Sequence, residues 1–104
     1  MTVVRVPNGK YYIIETKKVA GPSSYATGGF TITMDEIREI EDAVVSMVDG
    51  NNMYKVSYSY SGNKITVQVY QLGYDSGTSS LTISEVADGT DLSGISFAII
   101  AVGE

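Results

Sequence analysis

The sequence contains no histidine, no cysteine and no tryptophan, and only two prolines. Without histidine the commonest general base is missing, and without cysteine so is the best thiol nucleophile; the usual zinc ligands go with them. A Ser-His-Asp triad cannot be built, and neither G-x-x-x-x-G-K-[ST] nor G-x-G-x-x-G occurs in the chain. Carboxylate pairs such as Asp75 with Asp88 or Asp91 remain for glycoside chemistry. A domain this small leaves little room for a sugar cleft, so they are read as solvated loop acids, and a non-enzymatic role is expected. The lack of cysteine also means that stability owes nothing to disulfides and leaves the redox compartment open.

Basic residues are scarce. Seven Lys and Arg stand against twelve Asp and Glu, giving a net charge of −5 at pH 7. Affinity for phosphate backbones comes from clustered Lys and Arg, so a nucleic-acid partner is not expected. Long apolar runs are missing too: the longest, Phe97 to Val102, falls far short of the ~20 residues of a membrane-spanning helix. The start, Met1-Thr2-Val3-Val4-Arg5-Val6-Pro7, has no basic segment leading into an apolar stretch, so no secretory signal and no membrane partner are expected.

What is present is turn chemistry and alternation. The 104 residues, 43% hydrophobic and with eleven glycines, suit one domain over 1–104. Gly62-Asn63 predicts a two-residue hairpin turn that sets Tyr60 opposite Ile65, Tyr58 opposite Val67 and Val56 opposite Val69. That register places every large apolar residue of the pair on one face, so Tyr58 and Tyr60 are expected in the core. Asn8-Gly9 predicts a second hairpin pairing Val6 with Tyr11 and Val4 with Ile13, its second strand running to about Val19. Gly21 to Gly29 reads as a flexible loop carrying Tyr25, and Phe30, Ile32 and Met34 alternate in a strand.

The stretch from Met34 to Val48 carries two patterns at once. Thr33-x-x-Glu36 has the form of a capping box, whereas Ala43 to Val48 is rich in β-branched residues; a short helical turn over 35–40 followed by a strand is expected. Gly73 to Ser80 and Asp88 to Gly94 read as loops around a strand from Leu81 to Val86. The last strand, Ile95 to Val102, is apolar at nearly every position, as for a strand covered on both faces. The sum is an all-β, mainly antiparallel domain: a β-sandwich or jelly-roll-like barrel of about eight short strands with at most one helical turn.

Asp49-Gly50-Asn51-Asn52 and Asp88-Gly89-Thr90-Asp91 gather oxygens of the kind calcium takes, but Asp, Asn and Gly also dominate ordinary turns, and no metal or cofactor is assigned. Tyr25 and Tyr74, in Gly/Ser-rich loops without alternating partners, are the candidate contact tyrosines.

Three stretches carry a resemblance: Ser24-Tyr25-Ala26-Thr27-Gly28-Gly29-Phe30 opening a strand; Ile37 to Ser46, ending Asp42-Ala43-Val44-Val45-Ser46; and Glu85 to Ser93 leading to Phe97 and the closing Ala101-Val102-Gly103. In order and length they resemble small virion structural proteins, of the capsid decoration or cement kind, encoded in the head modules of tailed bacteriophages and archaeal tailed viruses. The resemblance implies a protein made in the host cytoplasm and carried on the capsid surface of the virion. Its partners would be the major capsid protein and neighbouring copies of itself, and no catalytic residue is carried over. On that reading the candidate protein contacts are Tyr25, Phe30, Tyr74, Asp88, Thr90, Asp91 and Leu92, and the hairpin over 1–19 is a further segment for intersubunit pairing. A tail, fibre or other host-contact module, and a carbohydrate-binding or adhesin-type domain, are the alternatives such a β architecture also serves.

Overall fold

The computed structural model describes residues 2–5, 9, 11–48 and 53–104. Among them run eight strands: β1 (Thr2–Arg5), β2 (Tyr11–Ala20), β3 (Phe30–Thr33), β4 (Ile40–Val48), β5 (Tyr54–Ser61), β6 (Lys64–Asp75), β7 (Ser80–Glu85) and β8 (Ser96–Gly103). They form two antiparallel sheets, one in the order β1-β2-β8-β4, the other β3-β6-β5 with β7 also on β6. The fold is an all-β sandwich, as the alternation predicts.

The core lies between the sheets. Phe97, Ile99 and Ala101 of β8 meet Ile65, Val67 and Val69 of β6, all within 1% of complete burial. Met34, Ile37 and Ile40 close one end of this layer, while Tyr25, Val86, Leu92 and Ile95 belong to the same cluster. Burial of these side chains is the main favourable term of the fold, about 1.5–3 kcal/mol for each large aliphatic or aromatic one.

The β5–β6 hairpin has the predicted register, Tyr60 to Ile65, Tyr58 to Val67 and Val56 to Val69, closed by Gly62 at φ 60°. The expected burial of its tyrosines fails. Tyr58 and Tyr60 remain 37% and 38% exposed, because β5 is an edge strand; at that rim the Tyr60 hydroxyl donates to Glu41 O of β4 at 3.0 Å.

The N-terminal hairpin forms in a different register, with Val3 opposite Ile13 and Val4 opposite Tyr12. A two-residue Asn8-Gly9 loop would oppose Pro7 to Lys10, and proline has no N–H to give to that closing pair. The shift by one residue moves Val4 to the opposite face from Ile13. The Asn8-Gly9 turn itself lies largely outside the described residues, as do Asp49 to Asn52.

Three further expectations change. Residues 35–39 form bends and no helix, because the amides that would close a helical turn bond elsewhere: Arg38 N and Glu39 N donate to Glu104 O at 2.8 and 3.3 Å and Ile40 N to Gly62 O at 2.7 Å, while the Glu15 carboxylate accepts the N–H groups of Asp35, Glu36 and Ile37. Strand β6 runs on to Asp75, so Gly73, Tyr74 and Asp75 are paired with Thr82, Leu81 and Ser80 and do not form a loop. Strand β8 is covered on one face only: Phe97, Ile99 and Ala101 point into the core, whereas Ile100 is 52% exposed on the other face.

The molecule measures 59 × 26 × 22 Å with a radius of gyration of 16.3 Å. A compact domain of this length would have a radius near ~13 Å. The topology accounts for part of the excess: beyond the last β5 pair, Tyr54 with Gln71, residues 72–75 of β6 and 80–83 of β7 pair with each other alone, forming an arm.

Candidate functional site

The segment 21–29 is tied down along its length. Gly21 N donates to Ile95 O, Leu92 N to Pro22 O and Tyr25 N to Thr90 O, all at 2.8 Å, and Gly89 N donates to Tyr25 O at 2.7 Å. Two connections that look like separate loops in the sequence thus bond to each other. This overturns the expectation of a flexible loop, and the candidate contact residues must be placed again.

Tyr25 is only 1% exposed. Its phenol oxygen accepts the N–H of Val69 at 3.1 Å and its hydroxyl donates to Glu85 Oε2 at 2.5 Å. Burial, and then the Glu85 carboxylate, push this phenol up to about 12, with the Val69 N–H pulling the other way. Glu85 Oε2 also accepts from Gly28 N at 2.9 Å. Next to it Gly29, at φ +104°, lies so close to Val67 O that there is no room for a side chain. Leu92 is equally buried, at 1%, against the same end of the core. Both residues hold the fold together and are withdrawn as surface contacts.

Phe30 is half-buried with its ring edge-on to Phe97, centroids 5.2 Å apart, which is a packing role. Asp88 is exposed, but its Oδ1 receives both the N–H and the Oγ1 hydroxyl of Thr27 at 2.6 Å. Asp91 binds Ser93 N and Oγ in the same way, at 2.9 and 2.6 Å. These bonds hold both carboxyls below the usual aspartate range. Thr90 donates through Oγ1 to Ala87 O at 2.7 Å. Asp88, Thr90 and Asp91 therefore stiffen a turn, and among the described residues no three His, Cys, Asp or Glu side chains come together as a metal site.

Tyr74 alone among the candidates is a largely free side chain, 64% exposed. It stands on the β6–β7 arm, opposite Leu81, and Leu72 stands opposite Ile83. Cross-strand partners share a face, so these four residues make one apolar surface. Leu81 is 78% and Ile83 66% exposed, values that leave most of each side chain in water. Sequence reading missed Leu72, Leu81 and Ile83. The signal was the alternation Leu81-Thr82-Ile83 beside Leu72-Gly73-Tyr74, two polar-apolar strands joined by a short turn.

The arm's turn is Ser76 to Ser79, closed by the Asp75–Ser80 pair. Asp75 Oδ1 accepts Gly77 N at 2.9 Å, and Ser79 adopts φ 53°, a conformation that favours glycine. The turn keeps the two strands in register and holds the four apolar side chains to one side.

No family model, curated protein or solved structure matches the chain.

The apolar arm can make protein contact. An exposed apolar surface on a paired, rigid strand element loses little entropy on docking, and burying Leu81 and Ile83 would contribute about 1.5–3 kcal/mol each.

Proposed function

We propose that this chain is a non-enzymatic structural protein of a virion, a capsid decoration or cement protein that binds the assembled shell of major capsid protein and stabilises it. One observation carries the docking half of the reading: the β6–β7 arm presents Leu72, Tyr74, Leu81 and Ile83 on one face, beyond the body of the sandwich. Such a surface is unfavourable in water and calls for a partner. The order of the sequence stretches from Ser24 to Gly103 supports the virion half, through its resemblance to small head-module proteins.

The arm inserts between or onto neighbouring shell subunits, and many copies each burying a modest area together strengthen the lattice. The test is cosedimentation of the purified protein with shells assembled from the major capsid protein of the same genome. Saturable binding in a fixed ratio to the shell protein is expected. Binding only to tails or to host cells, with none to immature or expanded shells, would overturn the reading.

A further inference from the structure

The outer face of the first sheet is apolar at its centre. Ile100 and Val44 lie side by side there, 52% and 55% exposed, with half-buried Val102 and Ile14 next to them. At the alternating positions of β2, β8 and β4 on this face the charged side chains among the described residues are Lys18 and Asp42, one of each sign, with the exposed Glu41 at the β4 bulge beside Asp42 adding to the acidic corner. Lys18 is paired with Ala98 and Asp42 with Val102, so they sit at diagonally opposite corners with Ile100 midway between. Strand spacing and rise place the two Cα atoms roughly 16 Å apart, each about 8 Å from Ile100. Lys18 makes no ion pair among the described residues, and Asp42 spends one oxygen on its neighbour's amide, Ala43 N at 2.9 Å.

The geometry points to a second copy of the same chain as the occupant of this face. A two-fold axis lying in the face, through Ile100 and perpendicular to the Lys18–Asp42 diagonal, exchanges the two corners. Each Lys18 then lies over Asp42 of the other copy, giving two ion pairs, and Ile100 packs on Ile100 with Val44 beside it. This is an isologous contact that closes on itself, and it crosses the strands of the two sheets steeply, in the manner of orthogonal sheet packing. No other placement of a second copy on this face pairs both charges while stacking the apolar centre.

The patch spans roughly 20 Å along the strands and 15 Å across them. That is small beside the ~800 Å² per partner of a standard interface, so the dimer is weak and forms in the micromolar range or above. The face belongs to the sheet opposite the β6–β7 arm, and the inference does not rest on the capsid reading.

The test is sedimentation velocity of the intact chain at rising concentration, with circular dichroism confirming that each variant is folded. The wild type should pass from monomer to dimer. Lys18→Asp or Asp42→Lys alone should raise the dissociation constant about tenfold or more, since each creates two like-charge contacts. The double exchange, Lys18→Asp with Asp42→Lys, should restore association close to the wild-type value, and Ile100→Asp should leave only monomer. A monomer at every concentration, or a dimer indifferent to the single exchanges and not rescued by the double one, would overturn the inference.

Discussion

The phenol of Tyr25 fills the gap on the edge of β6 where β3 stops and β7 begins, accepting Val69 N–H at 3.1 Å and donating to Glu85 at 2.5 Å. Strand β3 pairs with β6 only as far as Val67, and β7 starts at Tyr70. One side chain thereby supplies the hydrogen bond that neither strand can make, and links the body of the sandwich to the base of the arm.

This arrangement makes stability fall at high pH. The folded-state pKa of Tyr25 is about 12, above its ordinary value of 10.0, so the folded state holds the proton more tightly than the unfolded chain does. Its contribution is complete below pH 10 and is lost as pH rises through 12, a loss on the order of 2 kcal/mol. Denaturant midpoints measured from pH 8 to 12 should drop more steeply for the wild type than for Tyr25→Phe. Parallel curves would contradict the assignment.

Glu15 is the one buried charged residue among the described residues, 5% exposed, and its carboxylate accepts three consecutive amides at 2.9, 2.9 and 3.2 Å. Glu15→Ala strands those donors and should destabilise the protein by about 3 kcal/mol or more in urea unfolding. Glu15→Gln retains one carbonyl acceptor and should lose less. Equal losses would mean that the carboxylate is not what organises residues 35–37.

Gly28 and Gly29 both adopt positive φ, 99° and 104°, but only Gly29 lies against a neighbouring backbone, at Val67 O. Gly28→Ala should cost about 1 kcal/mol in thermal or chemical unfolding, the conformational term alone. Gly29→Ala adds displacement of the β3–β6 ladder and should cost at least twice that. Similar values for the two variants would refute the close packing.

Asp88 and Asp91 carry depressed pKa values through their bonds to Thr27 and Ser93. Their contribution is present above the ordinary aspartate value of 3.8 and disappears as pH falls through the lower folded-state values. Asp88→Asn should therefore lower stability at neutral pH and flatten the acid side of the profile, so that the variant and wild-type curves converge at low pH. An unaltered acid limb would count against the Thr27 bond.

The parts of this fold legible in the sequence were those set by local chemistry. Gly62-Asn63 between two alternating runs was enough to place eight cross-strand pairs in register. What was not legible depended on distant partners. Tyr25 looked exposed because its neighbours are glycine and serine, whereas Val69 and Glu85, which bury it, lie 44 and 60 residues away. Tyr58 and Tyr60 looked buried because alternation fixes a face but not whether the strand is central or at an edge. The Asp35–Ile40 stretch has a cap-like pattern, but the amides of Arg38, Glu39 and Ile40 bond to Glu104 O and Gly62 O, partners far along the chain that no local pattern shows.

The arm gives the most direct measurement. Leu81 and Ile83 are 78% and 66% exposed, so the variant Leu81→Asp with Ile83→Asp should keep the wild-type unfolding midpoint within about 0.5 kcal/mol. Cosedimentation of wild type and this variant with shells of the major capsid protein then separates docking from folding. The account predicts saturable binding of the wild type and at least a hundredfold weaker binding of the folded variant, the loss of two buried anchors. Equal binding of the two proteins, or no binding by either, would contradict it.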